Sequence, residues 1–314
     1  MFELDADIDT DEFERKVAER RQKTYSPDAI RRGSEIDVAI VLHGSFQAAL
    51  GAADRVFQLG TALSVPAGLR LIGPPGSGKT TLLRYYADSV PRSALFDRGL
   101  GAIRIRLRKR PSLGHTVESV LRALRHPFPK VSSQTVGMKR DISIDALKQR
   151  RTHLLLVDEA HNLCSRAGGW RAGSDEGNET TEYLREIMDA QIGLILAGGT
   201  GLEQLQERDK YLHSRCAAKA TLGDFALDNA WAGIVHGLAG HNQHHCLKFL
   251  TDSRQIVLLH RATRGNLRTL KMLVVEAILI AADSSRSDLC AADLRSGFGL
   301  ALNGLVDIAN PWGA

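Results

Sequence analysis

The sequence predicts an α/β domain with a parallel sheet covered by helices, followed by a smaller helical domain. Short apolar strands alternate with helix-period segments up to residue 223, and this order favours parallel strands joined by helical crossovers. From Asp224 onward only helical patterns follow. A hydrophobic content of 43% over 314 residues suits a globular protein with a substantial core.

Four segments follow from these patterns. Residues 1–35 are charged and poor in apolar periodicity, so we expect an extended or helical arm outside the core. The α/β domain spans 36–223 and the helical domain, or lid, spans 224–304. Residues 305–314 form a C-terminal tail, in which Trp312 either docks on a partner or belongs to a frayed end.

Charge and cysteine content narrow the class of protein. A net charge of +5 permits a polyanionic partner without requiring one. The four cysteines are far apart with no CxxC pair, which favours reduced thiols over a disulfide framework. The longest apolar run is too short to span a bilayer, and the amino terminus lacks an apolar signal region. We therefore expect a cytoplasmic protein without a membrane span.

The elements of the α/β domain can be placed in order. Apolar residues at helical spacing predict a helix within 36–63 that covers the first strand, Leu69–Ile72. The further predicted strands are Ile103–Leu107, Leu154–Val157 and Gly193–Ala197, with a final short strand after Arg215. The predicted helices are Lys79 to Asp88, one opening near His115, Asp145 to Arg151, Glu179 to Ala190 and, in the helical domain, Leu267 to Ala282.

A glycine-rich segment joins the first strand to the next helix. It fits the pattern G-x-x-x-x-G-K-[ST] between a strand and a helix, the context of a phosphate-binding loop rather than of a glycine-rich turn without a ligand. Its backbone amides would surround the β-phosphate, Lys79 would reach the β- and γ-phosphates, and the Thr80 hydroxyl would ligate Mg²⁺. The predicted ATP-binding residues of this loop are Gly73, Pro74, Pro75, Gly76, Ser77, Gly78, Lys79, Thr80 and Thr81.

The strand Leu154–Val157 ends in two carboxylates, Asp158 and Glu159. Ligands of open α/β sheets bind at this carboxyl edge. We expect Asp158 to hold the magnesium shell together with Thr80, and Glu159 to orient and polarise the water that attacks the γ-phosphate. The alternative, in which both carboxylates only cap a helix, does not require a phosphate loop upstream.

Three further side chains complete the predicted nucleotide site. Thr200, at the end of a strand, is a candidate for contacting the γ-phosphate or the lytic water, although threonine is also a good helix N-cap. Arg215, preferred over Arg208, is predicted to reach the γ-phosphate held by a neighbouring subunit, or else forms a surface salt bridge. Arg268 either contacts the nucleotide from the lid or lies on a solvated helix face.

In this order the motifs resemble AAA+ ATPases, and more narrowly the TniB, TnsC and MuB type of transposition ATPase. The likeness rests on "LIGPPGSGKTTLLRYYA", "LLLVDEAHNL", "TTEYLREIMD", "LILAGGTGLEQL" and the glycine-led helix start of the lid. The resemblance implies ATP-dependent rings or helical filaments that bind duplex DNA with little sequence preference, mark an integration target, and recruit or stimulate a transposase. A target-selection protein is a further implied partner. The glycine-rich loop 166–178 is longer than a minimal AAA+ connection needs.

Two other classes stay open. A secretion or envelope-assembly ATPase resembling ExeA would act on a protein complex without DNA. Such a protein would normally carry a transmembrane or peptidoglycan-binding region after the ATPase. A nucleotide switch that binds ATP without turnover is the third class, and the presence of both Asp158 and Glu159 weighs against it.

A DNA partner is also suggested by clustered cations. The strand Ile103–Leu107 alternates apolar residues with arginine, as an edge strand does, and it runs directly into further cations. Such charges suffice for contacts with phosphate, which are sequence-independent. The alternative is a solvated face or a subunit contact. Led by Lys109 and Arg110, the predicted DNA-contacting residues are Arg104, Arg106, Arg108, Lys109, Arg110, Lys139, Arg140, Lys148, Arg150 and Arg151.

Overall fold

The computed structural model divides into two compact units. The sheet unit is Gly44–Gly223, and the helical unit combines Met1–His43 with Asp224–Ala314. The loop predicted to be unusual, 166–178, lies outside the described residues except for Asn178. The structure describes residues 10–21, 24–62, 66–90, 101–165, 178–242, 246–305 and 307–313.

The sheet unit is built on five parallel strands in the order β2-β3-β4-β1-β5. Their bounds are Gly68–Ile72 (β1), Ala102–Arg106 (β2), Leu154–Asp158 (β3), Gly193–Gly198 (β4) and Ala218–Thr221 (β5). Strands β1, β3 and β4 are buried along their whole length, which explains why they are apolar apart from Arg70 and Asp158. The alternating strand β2 lies at an edge. The predicted parallel sheet and the predicted edge strand are both confirmed.

Helices cover both faces of this sheet. Helix α3 packs on β1, β3, β4 and β5, whereas α5 packs on β2 and also contacts α6 and α7. Helix α6 begins at Val136, well before the predicted Asp145. The helix buries only Ser143 and Leu147, so its sequence shows little apolar periodicity from which the earlier start could be predicted. The helices are Gly44–Ala62 (α3), Lys79–Ser89 (α4), Leu113–Ala123 (α5), Val136–Gln149 (α6), Glu179–Asp189 (α7), Leu205–Arg208 (α8) and Lys210–Arg215 (α9).

The helical unit has its own core, centred on the long helix α12. Within the described parts of the chain no helix combines the length and apolar character needed to cross a bilayer. The helices of this unit are Thr10–Arg21 (α1), Pro27–Val38 (α2), Asn229–Ala239 (α10), Ser253–Thr263 (α11), Leu267–Asp283 (α12) and Ala291–Ala301 (α13).

Helix α2 differs from the expected arm outside the core, because it packs against α12. Ala29, Gly33 and Ile36 are buried along one side of the helix. Gly33 allows a close approach, since a Cβ there would lie 3.1 Å from Cδ2 of Leu279. Lys271 Nζ also donates hydrogen bonds of 2.7 and 2.6 Å to the carbonyls of Asp37 and Ala39 at the end of α2. Residues 27–35 therefore belong to the helical core.

The C-terminal tail also packs on its own unit. Trp312 is only 6% exposed, and its indole Nε1 donates a 2.9 Å hydrogen bond to Oε1 of Gln255 in α11. Arg295 in α13 donates to the Trp312 carbonyl at 2.6 Å, and its own carbonyl accepts from Asn310 at 2.9 Å. Trp312 thus differs from both expectations, a frayed end and a docking aromatic, because its ring is already buried.

Candidate nucleotide-binding site

The loop between β1 and α4 has a backbone that only glycine can form. A Cβ on Gly73 would lie 1.9 Å from the carbonyl oxygen of Leu222. Gly76 and Gly78 have φ angles of +85° and +93°, and Gly78 is the N-cap of α4. The first amides of a helix lack partners within that helix, so this loop offers donors for an anion at the amino end of α4.

Lys79 is the first residue of α4, and its ammonium group lies over the loop. Nζ donates hydrogen bonds of 2.8 and 2.7 Å to the carbonyls of Gly73 and Pro74, and it lies 3.3 Å from Oγ of Ser77. These contacts place the positive charge beside the same backbone segment that would surround a phosphate. The residues present therefore fit the polyphosphate of ATP.

Thr80 and Asp158 meet directly, although 78 residues separate them in the chain. Thr80 Oγ1 donates a 2.9 Å hydrogen bond to Oδ2 of Asp158, whose residue is only 3% exposed. A hydroxyl and a carboxylate are hard oxygen ligands of the kind that Mg²⁺ prefers. The pair therefore fits the magnesium ion that accompanies ATP.

Glu159 follows in a strained conformation. Its φ of +57° lies in the left-handed region, which costs a non-glycine residue on the order of 1 kcal/mol. The Glu159 amide donates to Oδ1 of Asp158 at 3.0 Å, which fixes the turn after β3. About a third of the Glu159 side chain, 34%, is exposed. The backbone of Glu159 is therefore fixed against Asp158, while its carboxylate remains accessible to water.

His161 also belongs to this edge of the sheet, although the sequence analysis did not select it. Its Nδ1 accepts a 3.2 Å hydrogen bond from the Gly199 amide and lies 3.6 Å from Oε2 of Glu159. A Cβ on Gly198 would lie 2.7 Å from the His161 amide, so the turn after β3 and the end of β4 are in tight contact. The only sequence signal was its position two residues after Glu159.

Thr200 lies next to this contact. It is exposed and begins a short 3₁₀ helix whose N-cap is Gly199. The cap position is therefore occupied by its neighbour, which leaves the Thr200 hydroxyl outside the capping role considered above. Its contact with a γ-phosphate stays a prediction.

The arginines of β2 point at the carboxylates rather than away from the site. The register pairs Arg104 with Leu156 and Arg106 with Asp158, and side chains at paired positions lie on the same face of a sheet. Arg104 Nη1 is 3.4 Å from Oδ2 of Asp158, and Arg106 Nη2 is 3.3 Å from Oε1 of Glu159. Their charges are directed at Asp158 and Glu159, and their predicted contact with DNA stays a prediction.

The other predicted DNA-contacting cations fall into two groups. Arg140 in α6 donates from Nε and Nη2 to the two carboxylate oxygens of Glu186 in α7 and lies 3.6 Å from Glu182. Its charge is therefore paired within the unit, and the predicted phosphate contact would have to compete with these glutamates. Lys139 donates to the carbonyl of Phe128. The cations that are exposed in the structure are Arg108, Lys109, Arg110, Lys148 and Arg151, with Arg150 half-buried.

Arg215 ends α9 and is partly exposed, at 29% of its side chain. Nη1 donates to Oδ1 of Asp189 at 2.5 Å and to the Arg185 carbonyl at 3.0 Å, both from α7. The salt bridge weighed as its alternative role therefore exists, and reach toward a neighbour would require Asp189 to release it. Arg268 is exposed at the start of α12 in the helical unit, where its role toward the nucleotide stays a prediction.

Comparison with known proteins supports the same fold. Residues 67–206 match the family profile described as AAA domain. Among curated proteins no significant match is found. The chain has the AAA+ P-loop NTPase fold.

Solved AAA+ structures are similar to this chain over most of its length. The Aeropyrum pernix ORC2 protein in ADPNP–ADP complexes aligns with a TM-score of 0.63 and 16% identity, over 84% of this chain and 68% of that one. The Aeropyrum pernix ORC1 protein in complex with DNA aligns with a TM-score of 0.62 and 18% identity, over 83% of this chain and 66% of that one. Cdc6p from Pyrobaculum aerophilum aligns with a TM-score of 0.57 and 15% identity, over 84% of this chain and 70% of that one. At these identities the likeness concerns the AAA+ fold.

Proposed function

We propose that this chain is an ATP-hydrolysing, self-assembling AAA+ protein that binds duplex DNA and directs a transposase to it. The observation that carries the ATPase part is the 2.9 Å hydrogen bond between Thr80 and Asp158. It joins the phosphate loop to the carboxylate pair, so that a phosphate held by Lys79 would lie beside Glu159. The site thereby combines phosphate binding, metal ligation and water activation.

Each side chain has a distinct task in hydrolysis. Lys79 and the amides of the glycine loop bind the phosphates, and Thr80 with Asp158 holds the metal, which when bound neutralises phosphate charge. Glu159 orients the attacking water and polarises it. His161 holds the end of β4 against the Glu159 turn through the Gly199 amide. Thr200 is placed at that same strand end, where a hydroxyl would contact the water or the γ-phosphate.

Assembly and DNA binding are supported by separate features. Arg215 lies at the end of α9 and carries the guanidinium expected to complete a neighbour's site. The exposed run Arg108-Lys109-Arg110 begins one residue beyond the end of β2, whose arginines contact the carboxylates. A DNA contact at this run would therefore lie a few residues from the catalytic groups. That proximity favours a protein in which DNA and ATP influence each other's binding.

The transposition role rests on the motif resemblance described above, and the structural neighbours include a protein in complex with DNA. ATP would favour assembly on DNA, and hydrolysis through Glu159 would release it. Recruitment of the transposase would then depend on the nucleotide state. A secretion-type ATPase would instead turn over ATP without any response to DNA.

The test compares wild-type protein with Glu159→Gln. Fluorescence anisotropy with a labelled duplex and electron microscopy, both with ATP and Mg²⁺, should show salt-dependent binding and ordered assemblies. Glu159→Gln should retain ATP but lose hydrolysis by about 10²-fold or more, so its assemblies should persist. Lys79→Ala is the matched control and should not assemble.

Two outcomes would reject the proposal. A Glu159→Gln protein that stays monomeric with ATP and DNA would contradict nucleotide-controlled assembly. DNA affinity that does not change with salt would contradict phosphate binding, because counterion release makes such binding strongly salt-dependent. To test the transposition part, strand-transfer by a DDE-type transposase encoded beside this protein should rise in its presence with ATP.

A further inference from the structure

The connection between α5 and α6 presents one large aromatic side chain to solvent. Phe128 is 73% exposed and stands between Pro127 and Pro129. Burying a phenylalanine side chain stabilises a protein by about 1.5–3 kcal/mol, so leaving one exposed forgoes that gain. A second apolar side chain, Met138, is 58% exposed in the first turn of α6.

The backbone around Phe128 is fixed by specific contacts. Its amide donates a 3.1 Å hydrogen bond to Nδ1 of His126, and its carbonyl accepts a 2.7 Å bond from Nζ of Lys139. The flanking prolines restrict φ at their own positions and hold the residues before them in extended conformations. Val131 anchors the following residues by packing against the core of the sheet unit. The phenyl ring is therefore carried on a constrained turn.

The surrounding segment is strongly cationic. Residues 122–151 contain eight Arg and Lys but only two Asp, a charge of +6, whereas the whole chain carries +5. Arg122 and Arg140 are ion-paired with glutamates. Within the described ranges the following cations of this segment form no ion pair: Arg125, Lys130, Lys139, Lys148 and Arg150. Charge of one sign at this density attracts a polyanion.

We propose that Phe128 is a wedge that inserts between two base pairs of duplex DNA while the neighbouring cations bind the flanking phosphates. Apolar side chains used in this way unstack one base step and bend the duplex, and cations beside them supply the sequence-independent affinity. The inference rests on the proposed DNA-binding function and assigns a further contact to it. Insertion needs a single rigid apolar group, which this turn provides. An anionic membrane would be bound better by a continuous apolar face.

The test uses a duplex that contains 2-aminopurine at several adenine positions and fluorophores at both ends. 2-Aminopurine becomes brighter when a base step is unstacked, and energy transfer between the ends reports bending. Wild-type protein with ATP should increase both signals. Phe128→Ala should lose both signals and bind about 10-fold more weakly, as expected for the loss of one stacked aromatic. Its salt dependence should be unchanged, because the phosphate contacts remain.

Two matched variants control for indirect effects. Phe128→Trp keeps a large flat ring and should retain the unstacking signal. Tyr211→Ala removes another exposed aromatic of the sheet unit, at 55% exposure, and should behave like wild type. Because Phe128 and Tyr211 are both exposed, circular dichroism should show all variants folded.

The outcomes separate the wedge from the wider function. Wild-type protein that shows no salt-dependent DNA binding would refute both. Binding with no fluorescence change, or with the same change in Phe128→Ala, would refute only the wedge. If wild-type protein assembles with ATP alone and Phe128→Ala does not, the wedge would be refuted in favour of a contact between copies of the chain. If Phe128→Ala binds DNA normally but no longer binds phosphatidylserine vesicles, the wedge would be refuted in favour of a membrane contact.

Discussion

Arg106 on the edge strand β2 lies 3.3 Å from Glu159, the carboxylate expected to activate water. The arginine is 72% exposed and the glutamate 34%, so the pair is in contact with solvent. Exposed ion pairs contribute at most about 1 kcal/mol. The contact therefore holds Glu159 weakly and can be displaced by another charge.

Removing this arginine should release the carboxylate. In Arg106→Ala we expect ATP hydrolysis in the absence of DNA to rise by up to about five-fold, the factor that corresponds to 1 kcal/mol. The KM for ATP should stay within about two-fold of the wild-type value, because Arg106 contacts Glu159 rather than the phosphate loop. Steady-state hydrolysis assays measure both quantities. Arg108→Ala, the next cation in the chain, is the control. An equal rise in hydrolysis in Arg108→Ala would mean that the loss of any nearby positive charge, and not of the Glu159 contact, causes the effect.

Mixing two inactive variants tests whether Arg215 completes a neighbour's site. Glu159→Gln and Arg215→Ala should each abolish most hydrolysis when alone. In an equal mixture, about a quarter of the sites would combine an intact Glu159 with an intact Arg215 from the next subunit, because head-to-tail interfaces pair different surfaces. Hydrolysis should recover toward that fraction. If the mixture is as inactive as its components, Arg215 does not complete a neighbour's site and its role is limited to the salt bridge with Asp189.

The cations in α6 and at its C-cap should differ in their effect on DNA binding, according to whether they are ion-paired. Lys148→Ala with Arg150→Ala should reduce the slope of log affinity against log salt by about two, since each lost phosphate contact removes about one. Arg140→Ala should leave that slope unchanged and should lower the free energy of unfolding by about 1–2 kcal/mol, because Arg140 is held by Glu186 and Glu182. Salt titrations and urea unfolding distinguish the two effects. A reduced slope in Arg140→Ala would show that its carboxylate partners release it.

Trp312 should stabilise the helical unit. Trp312→Ala removes a buried ring and its hydrogen bond to Gln255, and we expect a loss of about 3–5 kcal/mol. Leu305→Ala is the control, because Leu305 is 57% exposed. Differential scanning calorimetry should show a lower Tm for the tryptophan variant alone. Equal melting of the two variants would mean that the tail does not contribute to the core in solution.

Thiol labelling should follow burial. Burial raises the pKa of the Cys164 and Cys216 thiols to about 12, so neither supplies thiolate near neutral pH. Cys246 is exposed. Ellman's reagent should therefore react quickly at Cys246 and with Cys164 and Cys216 only after denaturant is added. We expect native Cys216→Ser and native wild-type protein to show the same extent of rapid thiol labelling. A lower extent in Cys216→Ser would show that Cys216 is accessible in the folded protein.

The features that could be predicted are those encoded within a few neighbouring residues. The glycine loop is specified by Gly73 to Thr80, and the carboxylate pair by a buried strand that ends at Asp158. Parallel strands bring both to one edge, which is why their meeting at Thr80 and Asp158 could be expected.

The features that could not be predicted depend on partners distant in sequence. Arg215 is separated from Asp189 by 26 residues, Arg140 from Glu186 by 46 and Trp312 from Gln255 by 57. Each residue type alone fits a solvent-exposed role equally well. The direction of Arg104 and Arg106 depends on the register of β2 against β3, and that register is set by tertiary packing.

Helix α2 and its partner α12 are made at different times during synthesis. In the sequence, the sheet unit Gly44–Gly223 lies between these two helices. It can therefore fold as a continuous segment while α2 still lacks the surface of α12 against which it packs. At 5–20 residues per second, α2 waits roughly 10–50 s before α12 emerges from the ribosome. During that interval Ile36, which is fully buried in the folded structure, lacks the part of its core that α12 supplies. The order of translation therefore makes the helical unit the last part of the chain to reach its native state.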